Sequence, residues 1–143
     1  MRLYPFLLAF AAFSAQADTI NNYMNIANNI PKMEMKADAQ SQAWARSARN
    51  VLGVTDETIA ETLLQANETA KAQGHPLFCL PGGMQLNGVT LNNIIQETYN
   101  QISSQQSDKN KMTVSQIAWL GVTKKYPCHK MPSGLNHLKI RKQ

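Results

Sequence analysis

Apolar residues recur at helical spacing in five segments of the chain, and no segment shows a sustained alternation with a period of two. The spacing predicts helices over residues 18–30, 37–52, 55–73, 90–102 and 113–126. No internal repeat or second region of different composition interrupts this pattern. The fold class expected from the sequence is therefore all-α, a small bundle of four to five helices that forms one domain over residues 18–128.

Turn-forming and capping residues suggest where these helices begin and end. Pro31 is expected to end the first helix, because proline has no N–H to donate. Gly53 is expected to cap the second helix and Thr55 to begin the third, which predicts an antiparallel hairpin with a turn at residues 53–55. Thr113 and Gln116 have the spacing of a capping box at the start of the last helix.

Two tryptophans, Trp44 and Trp119, lie among apolar residues at helical spacing. Aromatic side chains in such a stripe are most often buried, so we expect both to belong to the core. The alternative is that they are exposed aromatic residues that bind a partner.

The first 17 residues have the pattern of a cleavable signal peptide. One base, Arg2, precedes an apolar run over residues 3–13, and the small residues Ala15 and Ala17 follow it. A membrane span needs roughly 20 apolar residues, which this run does not supply. We therefore expect cleavage after Ala17, export to the periplasm, and no membrane span in the mature chain.

The formal net charge of +5 is not spread evenly along the chain. Of the 14 bases, one is Arg2 and four follow Cys128, which leaves nine bases against nine acids in residues 18–128. The excess falls on Lys130, Lys139, Arg141 and Lys142. We interpret residues 129–143 as a basic, flexible tail, with contact to an acidic partner as the alternative and no nucleic-acid role expected.

Cys79 and Cys128 are the only cysteines, and two thiols of an exported protein usually pair. A disulfide between them would close a loop of about 50 residues and stabilise the fold by about 4 kcal/mol in the chain-entropy model. A metal site with His75 and His129 is an alternative, but the spacing matches no standard zinc pattern. A catalytic thiol, with His75 or His137 as its base, would require a free cysteine. We predict no metal and no cofactor.

Catalytic signatures are missing from the sequence: it has no H-E-x-x-H, G-x-S-x-G or C-x-x-C motif, and its glycines form no phosphate-binding pattern. We therefore expect a binding protein and not an enzyme.

The segment FCLP at residues 78–81, the helix that opens on Thr90 and the closing YPC at residues 126–128 resemble the Tai family of periplasmic immunity proteins. The resemblance covers about residues 40–128. It implies an all-helical homodimer with a disulfide between Cys79 and Cys128. It also implies a protein partner, a type VI-secreted peptidoglycan amidase whose catalytic groove the immunity protein blocks.

The chain departs from that family pattern in the insertion after Pro81 and in the basic tail. If the protein is an inhibitor, two loops are candidates for the contact. The candidate partner-binding residues are Gly82, Gly83, Met84, Gln85, Leu86, Asn87, Ser104, Gln105 and Gln106. The alternative for each loop is a solvated connection between helices.

Two other functions fit a small exported helical protein with one long-range disulfide. One is an acid-stress chaperone of the HdeA type, which exposes apolar surface when its carboxylates are protonated. The other is an accessory protein of an envelope or conjugation machine that docks through its basic tail.

Overall fold

The computed structural model describes residues 18–102 and 108–128. Four α-helices and one short 3₁₀-helix follow one another in these ranges: α1 Ile20–Glu34, α2 Ala39–Ala72, α3 Gly88–Gln101, the 3₁₀-helix Lys109–Lys111 and α4 Val114–Lys125. The predicted all-α bundle with one disulfide is confirmed. The predicted signal peptide and the basic tail lie outside the described residues.

Each α-helix begins after a residue whose side-chain oxygen accepts a backbone N–H of the first turn. These residues are Thr19, Asp38, Asn87 and Thr113. Such caps satisfy N–H groups that have no partner within the helix. The capping box predicted for Thr113 and Gln116 is confirmed, since each side chain accepts from the backbone of the other residue.

The predicted helical hairpin around Gly53 is wrong, because residues 39–72 form one continuous helix. Thr55 does not cap a new helix; its hydroxyl donates to the Val51 carbonyl, 2.9 Å away. The buried positions of α2 continue in one stripe on both sides of Gly53: Ala45, Ala48, Leu52, Asp56, Ala60 and Asn67. Packing along this stripe outweighs the cost of about 1 kcal/mol for a mid-helix glycine.

Pro31 does not end α1, which continues to Glu34. Proline's fixed φ is compatible with a helix, and α1 extends only three residues beyond it. The Gln42 side-chain amide, on α2, donates to the carbonyls of Glu34 and Lys36, both at 2.7 Å. These bonds satisfy carbonyls at the end of α1 and hold the prolonged helix against α2.

Helix α2 is the element on which the others assemble. Helices α1 and α3 both pack along it, and α4 packs chiefly against α3. At the α3–α4 contact, Gly121 lies so close to Thr98 and Ile94 that a Cβ atom at this position would overlap both side chains. The start of α1 meets the start of α4 through an isolated bridge between Thr19 and Thr113.

The core is apolar and continuous, but it leaves out both tryptophans. Its fully buried large side chains include Ile20, Phe78, Leu91, Ile95 and Ile117. Trp44 and Trp119 are each 39% exposed, so the prediction that they belong to the core is wrong. The helices that carry them turn a neighbouring stripe inward, Ala45 and Ala48 on α2 and Ala118 and Val122 on α4.

Among the described residues, no helix combines the length and the apolar character that a membrane span requires.

Candidate functional site

A disulfide fixes the segment between α2 and α3 to the end of the bundle. Cys79 and Cys128 are bonded, with their Cα atoms 4.9 Å apart and 49 positions separating them in the chain. The predicted pairing is confirmed. The Cys79 backbone N–H also donates to the Tyr126 carbonyl at 2.9 Å, so a covalent bond and a hydrogen bond together hold the segment between α2 and α3 beside the end of α4.

The two flanks of this segment are anchored in the core. On the first flank, Phe78 is 1% exposed, and the buried Asn67 side-chain oxygen accepts the N–H groups of Leu77 at 2.8 Å and Phe78 at 3.0 Å. On the second flank, Leu86 is 3% exposed. Phe78 and Leu86 are buried, and the N–H groups of Leu77 and Phe78 are satisfied. These contacts hold both ends of the intervening residues in place.

Between the flanks, residues 81–84 form a tight turn that is mostly exposed. The Met84 N–H donates to the Pro81 carbonyl at 3.1 Å, and Gly83 has a φ of 79°, which favours glycine. Gly82 and Gly83 are exposed, and Met84 is half-buried. Gln85, which follows, is exposed as well. We call residues 81–85 the stapled loop.

The structure separates the predicted partner-binding residues into three groups. Gly82, Gly83, Met84 and Gln85 lie together in the stapled loop. Leu86 was expected in a contact surface, and that prediction is wrong: its side chain packs in the core. Asn87 is exposed, and its side-chain oxygen caps α3 by accepting the Thr90 N–H at 2.9 Å.

Ser104, Gln105 and Gln106 lie outside the described residues. The two ends of their segment are close together, because the Lys109 ammonium donates to the Ile102 carbonyl at 3.0 Å.

A groove lies between α1 and α3, with α2 as its floor. It has a volume of about 370 Å³. Its lining residues are Ala27, Ile30, Pro31, Arg49, Leu52, Gly53, Asp56, Gly88, Val89, Asn92, Asn93 and Gln96. We call it the α1–α3 groove.

A buried polar network lies beneath the α1–α3 groove. Asp56, only 2% exposed, accepts hydrogen bonds from the Tyr23 hydroxyl, at 2.8 Å to Oδ1, and from the Asn92 amide, at 3.0 Å to Oδ2. The Asn92 amide also donates to the Tyr23 oxygen, and its own carbonyl oxygen accepts from Gln96 at 2.7 Å. The network therefore joins three helices, since Tyr23 on α1 and Asn92 on α3 both donate to Asp56 on α2.

Burial determines the electrostatics of this network. It raises the pKa of Asp56, while the hydrogen bonds from Asn92 and Tyr23 work in the opposite direction. The pKa of Tyr23 is raised first by burial and then by the adjacent Asp56 charge, so its hydroxyl stays protonated and remains a donor.

Within the described part of the chain, the Asp56 carboxylate has hydrogen-bond donors but no basic partner. Among the described residues, no lysine or arginine nitrogen lies within 4.0 Å of it. Of the described residues that line the groove, only Arg49 is basic, and its guanidinium pairs with Glu34 through two hydrogen bonds. The pKa of Glu34 is lowered chiefly by that bond.

The predicted helix start at Thr55 puts Asp56 in the first turn of a separate helix, and this prediction hides its place in a buried network. A continuous helix through Gly53 would have put Asp56 on the buried stripe, four residues after Leu52 and four before Ala60. A carboxylate in such a stripe is the signal that indicates a buried polar network.

The sequence leaves a catalytic thiol and a metal site open as alternatives to the disulfide. Both cysteine sulfurs are in the disulfide, so neither is available as a thiolate. Within residues 18–102 and 108–128, no three histidine, cysteine or acidic side chains are grouped so as to hold a metal ion.

Comparison with family models, with curated proteins and with solved structures finds no match to this chain. The resemblance based on the FCLP and YPC motifs therefore stays a prediction.

Proposed function

We propose that this protein is a periplasmic inhibitor that binds a secreted peptidoglycan amidase and blocks its catalytic groove with the stapled loop. The observation that carries the proposal is the construction of that loop. An exposed turn at Gly82 and Gly83 is held between two buried anchors, Phe78 and Leu86, and tied to α4 by the disulfide at Cys79.

Such a loop is suited to inhibition because it is ordered before it binds. Ordering side chains and loops on association costs free energy, and a loop already fixed in the free protein avoids much of that cost. In pre-organised inhibitor complexes the backbone moves little on binding.

The two glycines make the turn slender. A Cβ atom at Gly82 or Gly83 would have no heavy atom within 4 Å, so open space surrounds the backbone on this side. A turn without side chains at two adjacent positions lets its backbone approach the floor of a narrow cleft. The exposed Gln85 adds an amide beside it.

An inhibitor of a peptidoglycan amidase acts in the periplasm, and the signal peptide predicted for residues 1–17, cleaved after Ala17, would direct export to that compartment. Mass spectrometry of the protein recovered from the periplasm tests this step, with a mature chain that begins at Asp18 as the expected result. The homodimer implied by the family resemblance is part of the same proposal, and its mass in solution is measured by light scattering.

The decisive experiment measures inhibition of a cell-wall amidase encoded beside this gene. The wild-type chain is expected to inhibit it, and Gly82→Arg is expected to bind about tenfold more weakly or worse, because the added side chain blocks entry of the turn. Ser47→Arg, which adds the same group at an exposed position of α2, is the matched control.

Both variants are expected to retain the wild-type melting temperature, because each changes an exposed position. Full inhibition by a folded Gly82→Arg protein would contradict the role of the stapled loop. A wild-type complex in which the amidase stays fully active would contradict the inhibitor function itself.

A further inference from the structure

We propose that the α1–α3 groove is a docking site for a basic side chain, lysine or arginine, presented by a partner protein. The inference rests on the proposed function only in assigning that side chain to the same partner that receives the stapled loop.

Charge complementarity favours a cation in the groove. Asp56 lies in the lining of the groove as a buried carboxylate with no base within salt-bridge distance among the described residues. A buried charge is stabilised most by an opposite charge, and the donors Tyr23 and Asn92 supply only dipoles. A cation that enters the groove would supply the counter-charge that residues 18–102 and 108–128 do not.

Arg49, the one base among the described lining residues, does not act as the counter-charge of Asp56. Arg49 holds Glu34 with both its Nε and Nη2 atoms, so its charge is neutralised at the rim. The net charge that the groove presents to an incoming group is therefore that of Asp56.

The walls of the groove suit the stem of a long basic side chain. Ile30, Pro31, Leu52 and Val89 give the groove an apolar lining, and Val89 is 76% exposed. Lysine and arginine have long methylene stems that pack on apolar surface while the charged end reaches a polar group. Amides of Asn93 and Gln96 add oxygen acceptors to the same lining.

The lining of the groove follows the stapled loop closely along the chain. Gly88 and Val89 line the groove, and only Leu86 and Asn87 separate them from Gln85. The Gly88 N–H donates to the Glu57 carboxylate at 2.6 Å, which fixes this connection against α2. Because three residues span at most about 11 Å, the lining of the groove begins within that distance of the stapled loop.

The first test titrates the full chain with N-acetyl-arginine amide and records the NMR signals of the Gly53 and Gly88 backbone amides and the Asn92 and Asn93 side chains. Saturable shifts in the millimolar range are expected for a single side chain. N-acetyl-citrulline amide has the same shape without the charge, and it is expected to bind at least about tenfold more weakly.

Asp56→Asn is expected to lower affinity for the arginine probe at least about tenfold, while Asp108→Asn, which removes an exposed and distant charge, leaves it unchanged. Equal shifts with the citrulline probe would overturn the proposal. Undiminished binding to a folded Asp56→Asn protein would overturn it too.

Gly53→Arg provides a second variant that does not disturb the buried network. A Cβ atom at Gly53 meets nothing within 4 Å, so a side chain can start there without a clash, and its tethered guanidinium is expected to displace the probe. Gly53→Ala is the matched control and should bind the probe as the wild type does. Probe binding that Gly53→Arg leaves intact would count against the groove as the site.

These experiments separate the two proposals. Probe binding needs no amidase, so a positive titration together with failed inhibition leaves the groove standing and removes the inhibitor function. Loss of inhibition by Gly82→Arg with no probe binding does the reverse.

Discussion

The stapled loop and the α1–α3 groove are neighbouring surfaces that the fold holds in place by different means. The loop is fixed by a covalent bond, by backbone hydrogen bonds to Tyr126 and Asn67, and by two apolar anchors. The groove is formed by three separate helices whose side chains meet at Asp56.

This difference indicates how each surface responds to change. The loop depends on a constraint that also acts on the unfolded chain, so its loss affects the stability of the whole domain. The network at Asp56 depends on satisfied hydrogen bonds in a buried place, so the loss of one hydrogen bond should lower stability by less than loss of the disulfide, by an amount that depends on the charge of Asp56.

The largest effect is expected from removing the disulfide. The double substitution Cys79→Ala and Cys128→Ala should lower the free energy of unfolding by about 4 kcal/mol, because the closed loop spans 49 positions. Urea unfolding followed by circular dichroism measures the change. The wild-type chain treated with a reductant is the control and should lose a similar amount; a loss below about 1 kcal/mol would show that the staple contributes little.

A smaller effect is expected from removing one donor to Asp56. Tyr23→Phe should lower the free energy of unfolding by about 1–3 kcal/mol, because the buried Asp56 carboxylate then accepts a hydrogen bond only from the Asn92 amide. Tyr99→Phe is the matched control: it removes a hydroxyl that donates to Asn110 in an exposed hydrogen bond. Equal losses in the two variants would mean that burial does not set the value of the Tyr23 hydrogen bond.

The turn of the stapled loop offers a matched pair of glycines. Gly83→Ala should lower the free energy of unfolding by about 1–2 kcal/mol, because the φ of 79° at Gly83 is unfavourable for a residue with a side chain. Gly82→Ala, one position earlier and outside that region, should change stability by less than about 0.5 kcal/mol. Thermal unfolding compares them, and similar melting temperatures would argue against the observed turn.

The dependence of stability on pH is expected to distinguish Asp56 from the exposed carboxylates. Burial raises the pKa of Asp56 above its ordinary value of 3.8, so its ionisation opposes folding at neutral pH. That cost is relieved as the pH falls through the raised pKa towards 3.8. The stability of the wild type relative to Asp56→Asn should therefore increase as the pH is lowered.

The exposed carboxylates respond in the opposite sense. Hydrogen bonds from Arg49, Ser41 and Lys125 lower the pKa values of Glu34, Asp38 and Glu97, so their contribution is lost as the pH falls through those lowered values. Urea titrations of the wild type and Asp56→Asn over the same pH series isolate the Asp56 contribution. A relative stability that falls on acidification would contradict the buried, ionised Asp56.

Acid-stress chaperone activity would require unfolding at low pH, and Asp56 works against it, because protonation removes a cost that the folded state bears at neutral pH.

Several features of the fold follow from local sequence. The period of apolar residues indicates helices, and a capping box such as Thr113 with Gln116 acts within one turn. With two cysteines in the chain only one internal bridge is possible, so Cys79 and Cys128 could be paired before any geometry was known. The position of the stapled loop followed in the same way from its prolines and glycines.

Other features were decided by contacts between distant segments. Gly53 and Pro31 usually end helices, yet α1 and α2 continue through them because packing along α2 and the Gln42 hydrogen bonds outweigh local preference. The tryptophans and Leu86 were misplaced for a related reason. Helical spacing shows which residues share a stripe but not which stripe meets a neighbour, and loop composition does not show which side chain turns inward.

By itself the sequence determined that the chain is helical, that its two cysteines pair, and that a glycine-rich loop lies beside that pair. Only the tertiary structure brought Tyr23, Asp56 and Asn92 together, because the hydrogen bonds to Asp56 come from residues 33 and 36 positions away along the chain, on two other helices. A buried carboxylate between such helices depends on how three surfaces pack at once, and no local pattern encodes that arrangement.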